Sequence, residues 1–282
     1  MSVSADDRLL ALLAPWAVRG ERSIAPTPHG GGRPTLLTRL GALEDAVTFE
    51  GRGLLDVEAA SEAHAEALSA GLGLIEEAWP ALGEAIGRSV RHVVLFRDPA
   101  RNSFATPAAH GIAFINTALG TSDVFFVEDL AHQGGHVLFE AAWEGAPALV
   151  SVAPEASVGE LAGSDDARSL EVAVHGMVTL TLMIGALRRV LASDAAVDRD
   201  EATGRLLFAL VRLGTDLRAL AGLPVYAEAG VAVMREVVGA YMEAARAYGE
   251  LVVAADFTGQ PYNFDLALFR RRNAELRAPA RA

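Results

Sequence analysis

From Asp123 onwards the apolar residues recur at helical spacing almost without a break. The spacing predicts helices at about 123–143, 166–192, 201–221 and 225–255. Ahead of them, an alanine-rich helical stretch runs from Asp56 to Gly87 and is broken at Pro80, and residues 1–20 form a short amphipathic helix. Residues 21–53 are rich in Gly and Pro and read as a flexible loop. The glycine run in PTPHGGGRP lacks the helix start and the G-K-[ST] of a phosphate-binding loop. Two short runs, RHVVLF (91–96) and GIAFIN (111–116), are strand-like, between the turn-forming RDPARNS and TALGTSD. No internal repeat is visible. The expected fold is mostly α with a small β element before the 123–143 helix.

Composition removes several kinds of chemistry. With 282 residues, 51% of them hydrophobic, the chain can bury one large core. It has no cysteine, which excludes disulfides, thiolate nucleophiles and iron–sulfur ligation. All 24 basic residues are arginine, so no lysine can form a Schiff base or serve a P-loop. A net charge of −12 argues against a nucleic-acid surface. The basic end, Arg270, Arg271 and Arg272 with Arg277 and Arg281, reads as a solvated helix terminus. No stretch supplies the ~18 uninterrupted apolar residues of a membrane span. The nearest, 172–187, contains His175 and reads as a buried helix. Asp6 and Asp7 stand where a signal peptide carries positive charge, so a cytoplasmic protein is expected.

The stretch EDLAHQGGHVLFEA (128–141) carries the chemistry. On a helix, Glu128, His132, His136 and Glu140 follow one another at intervals of four on one face. Two imidazoles at that interval can reach one metal ion, as in the H-E-x-x-H signature of zinc peptidases. Here Gln133 stands where the peptidase glutamate belongs, and an amide cannot deprotonate water. Gly134 and Gly135 each cost a helix interior ~1 kcal/mol relative to alanine. A cofactor, a substrate or a second helix approaching closely would account for them. The next helix repeats the interval with Glu171 and His175, and an antiparallel pair would bring three histidines and up to three carboxylates within reach of one ion. The bland alternative makes His132 and His136 ordinary hydrogen-bonded helix residues. His29, His64 and His92 are assigned no role, and His110 could line the site but reads more simply as a satisfied loop histidine.

RNSFATPAAHGIAFIN, FFVEDLAHQGGH and VAVHGM together resemble the HExxH-type peptide β-hydroxylases, over about residues 97–185. The resemblance implies an iron(II)- and 2-oxoglutarate-dependent oxygenase that uses O2. Its substrate would be a peptide or an amino-acid-like natural-product intermediate, free or attached to a carrier or leader. It implies His132 and His136 as metal ligands, His175 as the third, and a loop at Asn102, Ser103 and Phe104 preceding the site, with Asn102 and Ser103 at the cofactor. Gln133 departs from the family pattern. That departure damages a hydrolase most, because an oxygenase draws its oxidising power from the co-substrate and needs no base there. Gln133 then becomes a support for a ligand or substrate. Glu171 competes with His175 as third ligand and is expected to support it by accepting a hydrogen bond from the imidazole. The distal carboxylate of 2-oxoglutarate needs an arginine. Arg168 and Arg101 are the candidates, since Arg188 and Arg189 lie three to four turns beyond His175.

The domain expectation is an N-terminal helix and linker over 1–55 and a helical catalytic domain over 56–282. Its metal-site core spans 97–192, between two adjacent helices. A water-activating metal hydrolase, a di-iron oxidase and a metal-free helical binding protein are the competing readings.

Overall fold

The computed structural model describes residues 3–17, 32–48, 52–145 and 148–276. Much of the Gly/Pro-rich stretch, with His29, and both Arg277 and Arg281 lie outside the described residues. The described chain is mostly helical. In order it forms α1 (Ala5–Ala17), β1 (Thr35–Leu37), α2 (Val57–Ala78), α3 (Pro80–Ser89), β2 (His92–Phe96), β3 (Ile112–Asn116), α4 (Asp123–Gly145), α5 (Val158–Ala162), α6 (Leu170–Ala192), α7 (Arg199–Leu220), α8 (Glu228–Ala254) and α9 (Leu266–Arg272).

The strands form one parallel sheet in the order β1-β2-β3. Thr35 pairs with His92, and His92 with Ile112. The sheet has one strand more than expected, because β1 lies inside the stretch read as loop. It is only three residues long, too short for alternation to show, and pairing with β2 is what makes it a strand. Pro80 occupies the first turn of α3, where its missing N–H costs nothing, so it separates α2 from α3. The helix expected from 166 begins instead at Leu170, because the Ser169 side chain accepts from the Val172 N–H and caps it there.

Helix α4 is the central element, touching α1, α2, α3, α6, α7 and β3. Helices α4 and α6 run antiparallel: Gly135 faces Thr179 and Leu182, whereas Trp143 faces His175. The two glycines belong to this packing. A Cβ on Gly134 would stand 3.0 Å from Ile86 Cγ1 of α3, and one on Gly135 3.0 Å from Leu182 Cδ1 of α6. Helix approach, not a ligand, explains the pair. Gly176, beside His175, has open space around a built Cβ and relieves no crowding.

Helix α1 belongs to the same core, with Leu9, Leu10 and Leu13 buried among residues of α4 and α6. Asp6, 1% exposed, receives Arg188 and Arg189 from α6, while Asp7 accepts from the Trp79 indole at 2.7 Å. Burial alone would raise the Asp6 pKa, but hydrogen bonds from Arg189 and Ser4 and the two guanidinium charges hold it below the usual value. Arg188 and Arg189 are thereby committed to fastening α1. Helix α6 is the one helix among the described residues long and apolar enough to cross a bilayer, but 83% of its most apolar window is buried inside the fold.

The two kinds of glycine separate in a stability measurement. Gly135→Val should lower the thermal midpoint, its extra methyls overpacking against Leu182 and Thr179 by about 1–3 kcal/mol. Gly176→Ala should raise it, by up to about 1 kcal/mol. A shift of the same sign in both, followed by circular dichroism, would contradict the packing role.

Candidate functional site

An interval of four residues advances about 400° round a helix, so each step drifts by about 40°. Over the three steps from Glu128 to Glu140 the drift reaches about 120°, too much for one site to use all four residues. The structure divides them between two cavities. The first, about 190 Å³, takes in Glu128, His132, Gln133 and His136. The second, about 290 Å³, takes in His136, Glu140, Glu171 and His175. The two have His136 and Ala105 in common.

In the first cavity the Nε2 atoms of His132 and His136 stand 3.2 Å apart. Two imidazoles bound at ~2.05 Å to one ion place their nitrogens about 2.9–3.4 Å apart, for angles from 90° to tetrahedral. The same geometry puts their ring centroids about 4.5–5.2 Å apart, and the observed value is 4.9 Å. The pair therefore fits a metal ion. Its spacing is also that of an N–H···N hydrogen bond, so distance alone suits either role. Burial first, and then the neighbouring His132 and His175, holds the His136 pKa well below the ordinary value, so the ring is neutral, as a ligand must be.

Gln133, 1% exposed, supports His132 from behind. Its Nε2 stands 3.1 Å from His132 Nδ1 and donates to Asp129 Oδ1 at 3.1 Å. The amide thus fixes the ring through the nitrogen that does not face His136. Asp129 Oδ1 is itself 3.7 Å from His132 Nδ1, and sequence reasoning had given Asp129 no role.

His175 does not join the pair. Its ring centroid is 6.0 Å from that of His136, roughly an ångström beyond the shared-ion range. It packs edge-on against Phe139 and Trp143. Its Nε2 is buried without a hydrogen-bond partner, 3.8 Å from Glu140 Oε2. Burial lowers its pKa to about 4. Among the described residues no three His, Asp or Glu side chains stand close enough together to hold an ion. Glu171, expected to support His175, lines the same second cavity, and so does His110, which had been read as an ordinary loop residue.

Asn102 and Ser103 do line the first cavity. Asn102 accepts from the Asn263 side chain at 2.7 Å, and Ser103 accepts from the Asn116 N–H at 2.9 Å. Phe104 stacks on Phe114 with centroids 4.6 Å apart. Asn116, fully buried at the end of β3, shapes this loop by donating to the carbonyls of Asp98 and Arg101 and accepting from the Asp98 and Ala118 N–H groups.

The two arginines expected at a cofactor lie elsewhere. Arg168 bridges Asp166 and Asp216, tying the segment before α6 to α7. Arg101 pairs with Asp98 at 3.4 Å and reaches the Val47 and Arg52 carbonyls. The arginines that do line the first cavity come from α7. Arg205, 4% exposed, is held between Glu128 and Glu201. Arg212 stacks over Tyr262 at 4.4 Å and is given no carboxylate by the described residues. Neither belongs to a recognisable motif, so only the fold brings them to this cavity.

No protein-family model and no curated protein matches this chain. The geometry is what the functional reading rests on.

The neutral imidazoles have a stability signature. A histidine with a lowered folded pKa binds its proton more readily when unfolded. The stability it contributes is full above the unfolded value of ~6.5 and is lost as the pH falls from there towards the folded value. For His175 that window runs down to about 4. The urea midpoint should therefore drop between pH 7 and pH 5, and drop less in His175→Gln. An unchanged pH slope in that variant would show that His175 is not the buried neutral group.

Proposed function

We propose that the chain is a non-haem metal-dependent oxygenase. It would use iron(II), 2-oxoglutarate and O2 to hydroxylate a peptide or amino-acid-like substrate in the cytoplasm. The observation that carries the reading is the 3.2 Å convergence of His132 and His136 Nε2 in a cavity wall, beside an amide where a hydrolase has its base. When bound, iron(II) couples oxidative decarboxylation of 2-oxoglutarate by O2 to hydroxylation of a substrate C–H bond.

The residues of the chain have distinct parts in this reading. His132 and His136 bind the metal as neutral imidazoles. Gln133 stands at His132 Nδ1; a metal on Nε2 would leave the ring proton on Nδ1, so the amide would have to turn its oxygen there to accept it, a support whose loss typically weakens metal affinity ~10–100-fold. Arg212 is the cation for the distal carboxylate, because Arg205 already satisfies two glutamates. Phe104, Phe125, Phe208 and Phe264 give the cavity apolar walls that exclude water.

A metal-free binding protein is the second reading. What favours it is the lack, among the described residues, of a third donor beside the pair. Metal content separates the two. Anaerobic titration with iron(II), followed by visible absorption with and without 2-oxoglutarate, should give one iron per chain and a new absorption band with the co-substrate. His132→Ala and His136→Ala should each abolish iron binding with the helical signal retained, whereas His175→Ala should keep the metal. Arg212→Met should keep the metal and raise the 2-oxoglutarate requirement about tenfold or more. Full metal content in the double histidine variant would remove the oxygenase reading.

A further inference from the structure

The second cavity has a chemistry of its own. Glu140 and Glu171 line it, and Glu144 lies near enough to act on both Glu140 and His110. No arginine lines the cavity, and none of these three carboxylates pairs with an arginine among the described residues. Burial first, then Glu144 and Glu171, push the Glu140 pKa up, while Arg91, behind the wall, donates to the His110 carbonyl. An independent observation points the same way. His175 is 8% exposed, lines the cavity, and has an Nε2 with no hydrogen-bond partner. A buried polar atom left unsatisfied costs about 1–3 kcal/mol, and a ligand N–H donated to it would recover that. Between the polar groups the walls are apolar, from Ala105, Pro107, Val137 and Val172, the last 55% exposed at the rim.

We propose that this cavity recognises a cationic side chain of the substrate, an amine or guanidinium on an aliphatic stem, with Glu140, Glu171 and His175 Nε2 receiving its N–H groups. The apolar walls take the methylene stem and the carboxylates take the head, as they would for a lysine- or arginine-like residue. A bare divalent ion fits less well, since no three donors close round one point among the described residues. The idea rests on the oxygenase reading for its substrate, which would enter beside the wall formed by His136. It does not rest on that reading for the binding itself.

Calorimetric titration of the full chain with N-acetyl-L-lysinamide, its arginine counterpart and the neutral norleucine analogue tests it. The two cationic amides should bind at least about tenfold more tightly than norleucinamide. Glu140→Gln combined with Glu171→Gln should erase the preference. Val172→Arg, a rim substitution at an exposed position, should weaken the cationic amides by a similar factor without touching the core. His132→Ala should keep the preference while losing iron, so a failed metal reading and a failed cation reading are told apart. Equal binding of the three amides, absence of binding, or a preference that survives the double glutamine variant would overturn the proposal.

Discussion

The close approach of α3 and α6 to α4 is the constraint on which the rest depends. It is eased because residues 134 and 135 lack side chains, which lets Ile86 and Leu182 come within 3.0 Å of where Cβ atoms would stand. The helix so enclosed has its histidines turned towards the remaining gaps, between α4, α7 and the 98–105 loop on one side and between α4 and α6 on another. The glycines thus cost the helix intrinsic propensity and return it as packing, and the sites occupy what packing leaves open.

The long helices were legible because their apolar periodicity extends over many turns, whereas the contact of α4 with α6 is made by apolar packing at Gly135 and not by a gathering of histidines. Element ends were less legible, since Ser169 and Asp198 set them through single side-chain caps. The third strand was hidden because three residues carry no periodic signal. Within the site, His132, Gln133 and His136 could be read from one helix, as could Asn102 and Ser103 from the adjoining loop. His175 could be placed on its helix but not in a particular cavity, because the drift of a helical face over several turns is decided by the crossing of two helices. The arginines were the least legible. Sequence proximity favoured Arg168 and Arg101, whereas tertiary packing delivers Arg205 and Arg212 from α7.

Arginine is the only strong cation in this acidic chain, and several of the described arginines tie elements together. Arg188 and Arg189 hold α1 to α6, Arg168 holds the segment before α6 to α7, and Arg205 joins α7 to α4. Planar guanidinium groups suit such multiple pairing better than an ammonium does. Against that background Arg212, which among the described residues stacks on the Phe208 and Tyr262 rings and meets no carboxylate, stands out chemically.

His136 is a wall of both cavities, so a single imidazole ring borders two chambers at once. Any occupant that fixes its orientation on one side changes the surface presented on the other. The resulting coupling free energy is necessarily the same in both directions: whatever one ligand does to the affinity of the second, the second does to the first. With both chambers filled, the ring would be a point of reciprocal communication between them, through one shared side chain and with no movement of the helices that carry it.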